Sequence, residues 1–154
     1  MSKKTVAEET QEHIERVMEL IDFTIKEMSQ KAIEHDASKL EEPELSIFAI
    51  YGEKLKNVTY GSEQYKKYLK EMKVALDHHY SVNRHHPEFF KNSVRGMNLM
   101  DLLEMICDWK AATERHKDGD VYKSIKINKE RFGYSDELEE ILLNTVKLLE
   151  KYDD

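Results

Sequence analysis

What this chain has little of sets the first bounds. Only five glycines and two prolines occur in 154 residues, so few positions interrupt a helix and the sequence predicts an all-α protein. A single cysteine, Cys107, excludes an internal disulfide and leaves no thiolate pair for a metal. No apolar run approaches the roughly 18 residues of a membrane span, and no membrane partner is expected. Positive charge is in deficit. The 24 Lys and Arg against 31 Asp and Glu leave a formal charge of −7, which argues against a protein that grips duplex nucleic acid through its phosphates. The opening stretch MSKKTVAEETQEH has charge but no apolar core, so it does not read as a signal peptide, and the cytoplasm is the expected compartment.

Against these absences stands a high charge content, 36% of residues, spread over amphipathic patterns. The length suits one domain over residues 1–154, with residues 1–5 as a flexible tail and about six to eight helices behind it. Ile14, Val17, Met18, Ile21, Ile25 and Met28 recur at three- and four-residue steps, the mark of a long first helix. Pro43 suits the first turn of a second helix reaching about Lys56, with Leu45, Phe48, Ala49 and Leu55 facing inward. Ser62 reads as the cap of one helix in which Tyr65, Leu69, Met72, Leu76 and His79 form the inner stripe, fraying near Asn83. A helix from Asn98 to about Lys117 presents Leu99, Leu102, Leu103 and Ile106 to the core, and Asp101, Glu104 and Asp108 on a second face. Gly133 and Ser135 separate two last helices, and the final one carries a stripe from Leu138 to Tyr152 with no visible chemistry.

The seven histidines are not scattered. His78, His79, His85 and His86 fall within nine positions, His35 is followed by Asp36, and His13 lies on the first helix beside its apolar stripe. Neutral imidazoles with carboxylates and no thiolate suit Zn, Fe, Mn, Co or Ni. His78 and His116 read as surface residues, His78 because it lies about 100° round the helix from His79. Asp101 and Glu104 are candidates to orient the imidazoles.

His13, His35-Asp36 and Asp108 resemble the H…HD…D signature of the HD-domain metal-dependent phosphohydrolases. Over most of its length the chain also resembles a small group of uncharacterised phage and bacterial proteins. Their shared segments read here His35-Asp36-Ala-Ser-Lys39, His79-Tyr80-Ser-Val-Asn83-Arg-His85-His86-Pro87-Glu88 and Glu104-Met-Ile-Cys-Asp108-Trp109. The resemblance implies an HD-type helical bundle with one ion on His13, His35, Asp36 and Asp108. It also implies a second ion on His79, His85 and His86, with Asp36 bridging the two. Metal-bound hydroxide would then attack a small phosphate ester, a nucleotide or nucleotide-like signalling compound. Asp36 and Lys39 would be catalytic, and Lys39, Arg16 and Arg84 would hold the phosphoryl oxygens. Mn, Fe, Co, Ni or Zn is the expected cofactor, as one or two ions, with Mg compatible. The doublet's acidic partner found three positions on in nucleoside-monophosphate members is Lys39 here, a feature similar to the phosphodiesterase-like branch. Two other readings stay open on the same residues: a di-iron oxygenase, and a non-enzymatic helical binding module with a structural ion. Oligomeric state is also open, a homodimer included.

Overall fold

Between Val6 and Glu34 neither glycine nor proline occurs, and in the computed structural model these residues form α1 (Val6–Glu34) without a break. The structure describes residues 4–59, 62–115 and 118–152; Met1, Ser2 and Lys3 of the expected tail, and His116, lie outside them. Thr5 caps α1 through the Glu8 amide while the Glu8 carboxylate returns to the Thr5 amide, a reciprocal box that satisfies two otherwise open donors. The helix buries none of its residues, so the expected stripe of Ile14, Met18, Ile21 and Ile25 is exposed along its side. It stops at His35, whose φ of −50° and ψ of 125° leave the helical region, and Asp36 follows at φ 57°. Asp is among the few non-glycine residues that tolerate this left-handed conformation.

By its contacts the chain divides into two compact units, residues 1–35 and 36–154. The second opens with a short 3-10 turn, Ala37–Leu40, and α2 (Glu44–Lys56). It continues with α3 (Glu63–Glu71) and α4 (Lys73–Val82), then two 3-10 turns, Pro87–Phe89 and Ser93–Gly96. α5 (Leu99–Glu114), α6 (Val121–Phe132) and α7 (Asp136–Glu150) complete it, and the described residues contain no strand. The chain is thus all-α. No described helix is long and apolar enough to cross a membrane.

Local chemistry sets most of these ends. Ser62, Asn98, Asp120 and Ser135 each accept a backbone amide at the start of a helix. Gly133, at φ 65°, closes α6 in the left-handed region that costs a glycine little. His86 precedes the turn opened by Pro87.

Three expectations need correction. The single helix expected from Ser62 to Asn83 is two, because Met72 sits between α3 and α4 with ψ near −1° and is itself 3% exposed. In α2 the buried residue is Glu44, while Leu45 is 46% exposed and Ala49 is exposed. On α5 the core face is Met105 and Ile106 with Leu102, whereas Leu99 is 80% exposed. Helical periodicity gives two apolar stripes on α5, and packing against α6 and α7 selects the one containing Met105.

The unit has an apolar side and a polar side. α5, α6 and α7 pack around Met105, Ile106, Val121, Ile125, Leu142 and Val146, joined by Val94 and by Tyr134, whose hydroxyl donates to the Ile125 carbonyl. α2 and α4 pack on each other and on the Ala37–Leu40 turn, and what they bury includes charge.

Candidate metal centre

Asp36, held in the left-handed conformation just before the Ala37–Leu40 turn, places its Oδ1 3.3 Å from His79 Nε2 and 3.4 Å from His85 Nε2. His79 comes from the last turn of α4, where helical spacing keeps it on the inner stripe at 2% exposure. His85 and His86 come from the segment leading into Pro87, and His85 is also 2% exposed. His86 Nε2 lies 2.8 Å from His79 Nε2. One ligand atom from each of Asp36, His79, His85 and His86 falls within 4.8 Å of every other. Three imidazole nitrogens and a carboxylate oxygen at these separations are the donor set of a four-coordinate transition-metal site.

The far nitrogens of two of these rings are also engaged. His79 Nδ1 is 2.9 Å from Glu44 Oε2, and His85 Nδ1 is 3.0 Å from Glu104 Oε1. Each ring therefore spans from a buried carboxylate on one side to Asp36 on the other, the arrangement by which proteins orient metal-binding histidines. Glu104 is thus placed against the far nitrogen of His85. Asp101 is fully buried and takes a two-point contact from Arg84, at 3.2 and 2.8 Å, while also accepting the Asn98 amide.

Burial favours the neutral form of two of these rings. It pushes the His79 imidazole below its usual value, helped by the Lys39 ammonium and opposed by Asp36 and Glu44. His86 is pushed down to about 3, first by burial and then by its His85 and His79 neighbours, against the pull of Asp108 and Asp36. A neutral imidazole is the form that can ligate, so no proton has to be displaced from His86 at neutral pH. Lys39 Nζ lies 2.5 Å from Asp36 Oδ2 and 5.8 Å above the Phe48 ring, with 38% of its side chain exposed. The Lys39 ammonium therefore stands at the solvent edge of the site. Asp108 is half-buried on α5, and its charge acts on both His86 and Tyr80.

A family model matches residues 2–152 of the chain. The chain belongs to DUF5662, a family of unknown function. No curated protein and no solved structure matches the sequence.

Of the residues singled out in this DUF5662 chain, the structure brings together Asp36, His79, His85 and His86, with Lys39 on Asp36. His35 ends α1, one residue before Asp36. His13 does not join His35: His13 lies on α1 and His35 caps its far end, and at roughly 1.5 Å of rise per residue about 33 Å of helix separates them. The two cannot share an ion within one chain, which corrects the expected ligand set. Arg16 pairs with Glu19 at 2.7 Å on the same exposed helix. Arg84 pairs with Asp101 and lies over the faces of Phe89 and Phe90, 5.4 and 4.8 Å from their centroids. His78 is not a plain surface residue either, since its Nδ1 is 2.7 Å from Glu44 Oε1.

Glu44 is the residue that the sequence concealed. It stands in the acidic run Glu41-Glu42-Pro43-Glu44, where a carboxylate in a first helical turn is ordinarily a solvated dipole partner. Its position directly after Pro43 is the only signal that fixes it.

Proposed function

We propose that this chain is a metal-dependent phosphohydrolase of the HD type, acting on a small phosphate ester such as a nucleotide or nucleotide-like signalling compound. The observation that carries the reading is the convergence of Asp36, His79, His85 and His86 on one point, with Lys39 at its edge. Imidazole-rich donor sets favour Mn, Fe, Co, Ni or Zn over Mg, which prefers oxygen. A divalent ion held there supplies Lewis acidity and lowers the pKa of a water.

The protein's own groups have separable tasks. Asp36 offers one oxygen toward the imidazoles and the other to Lys39, so the carboxylate couples the donor set to the cation. Lys39, freed from Asp36 by an arriving phosphoryl group, neutralises the non-bridging oxygens. Asp108 adds negative charge beside His86 and strengthens the site's preference for a cation.

Elemental analysis of the purified full chain, followed by phosphate release from a nucleotide panel with Mn, Fe, Co, Ni or Zn added, tests the reading. Asp36→Ala is expected to abolish both bound metal and phosphate release. Turnover that survives this substitution, or the absence of turnover with every metal, sinks the proposal.

A further inference from the structure

We infer that Glu44 is a positioning residue, a buried carboxylate that fixes His79 as its Nδ1–H tautomer and so keeps the Nε2 lone pair turned toward the point it shares with Asp36, His85 and His86. The inference rests on the metal-centre reading above and assigns the residue that pre-forms it.

Hydrogen accounting around His79 carries the argument. Three groups lie near its Nδ1: Glu44 Oε2 at 2.9 Å, Asn83 Nδ2 at 3.0 Å and Ser38 Oγ at 3.3 Å. The Asn83 amide has two hydrogens, and both have better acceptors. One goes to Ser38 Oγ at 2.8 Å and the other to the His79 carbonyl at 2.9 Å. The Ser38 hydroxyl in turn donates to Glu44 Oε2 at 3.1 Å. No hydrogen is then left for Nδ1 to accept, while the carboxylate beside it can only accept. Nδ1 must be the donor, and in a neutral ring that leaves Nε2 bare.

The same accounting explains Glu44 itself. Its side chain is 0% exposed, and a charge so placed is tolerable only when its oxygens are satisfied. Oε2 receives His79 and Ser38, and Oε1 receives His78 at 2.7 Å. Ser38 therefore supports the carboxylate directly, and Asn83 does so through Ser38. Glutamine offers a single oxygen, so it can accept from only one of His78 and His79 and presents an N–H to the other.

Nitrogen-15 NMR of the full-length, metal-free protein at neutral pH reads the tautomer directly. The His79 ring is expected to carry its proton on Nδ1, and in Glu44→Gln the proton is expected to move to Nε2. Zinc titration against a competing chelator is expected to show a 10- to 100-fold loss of affinity in Glu44→Gln, with the helical circular dichroism of the wild type. Wild-type His79 protonated on Nε2 overturns the inference, as does a folded Glu44→Gln that binds zinc as tightly as the wild type. Should the variant fail to fold, the wild-type tautomer decides alone. The two proposals fail separately. Zinc binding with the stated tautomer but no phosphate release removes only the phosphohydrolase, and phosphate release from a protein with Nε2–H on His79 removes only the positioning role.

Discussion

The two sides of the 36–154 unit meet on one helix and follow opposite rules. From α5, Met105 and Ile106 enter an apolar core whose members need only volume and shape, while Asp101 and Glu104, in its first and second turns, are buried with charge. The apolar side is stable because it excludes water, at roughly 25 cal/mol for each Å² of apolar surface removed. The polar side pays a desolvation cost that only specific partners offset: Arg84 for Asp101, His85 for Glu104, His78, His79 and Ser38 for Glu44. Buried polar groups held this way specify one arrangement of four side chains, which a binding site needs and a core does not.

Breaking the polar side at its centre separates the two rules most sharply. His79→Ala is expected to lower zinc affinity by about a thousandfold or more, some 4 kcal/mol, while helical circular dichroism is unchanged. A variant that keeps wild-type zinc affinity places the ion elsewhere.

The reverse experiment is Ile106→Ala. Its side chain is 1% exposed, and its truncation is expected to cost about 2–5 kcal/mol in a urea titration while the folded fraction binds zinc normally. A coupled loss of affinity means that the two sides of α5 are not independent.

Asp101→Asn tests the junction between them. The guanidinium of Arg84 is 46% exposed, so solvent screens the pair, and the expected loss is about 1–3 kcal/mol of stability with zinc binding retained.

The smallest effect belongs to Tyr134 in the apolar core. Its hydroxyl donates to the Ile125 carbonyl, and Tyr134→Phe is expected to cost about 1 kcal/mol at neutral pH. Burial, with Glu139 adding to it, pushes the phenol up to about 12 against Lys129. From its ordinary value near 10 up to about 12 the unfolded chain loses this proton and the folded one keeps it, so stability falls as pH rises through that window. Alkaline denaturation should be less steep in Tyr134→Phe, and equal steepness assigns the transition to other groups.

How much of this was legible beforehand differs along the chain. Helix ends were readable because their causes are local: Ser62, Gly133 and Ser135 act on backbone groups within a few residues. Three of the imidazoles were readable because they cluster in sequence. The exclusion of His13 was not, since an amphipathic pattern is the same whether a helix folds back or runs straight, and α1 runs straight to Glu34. The pairing of Arg84 with Asp101, 17 residues on, was not legible either, because it depends on the fold bringing the two together.

The sequence by itself determined the all-helical class, the caps and the supply of imidazoles, because scarcity of glycine and proline, hydrophobic period and residue chemistry act at short range. Only the tertiary structure decided which stripe of α5 is core, which acids are buried and which nitrogen of His79 faces Asp36. Those choices depend on groups such as Glu44 and His79, far apart in the chain, being enclosed together where water cannot substitute for either.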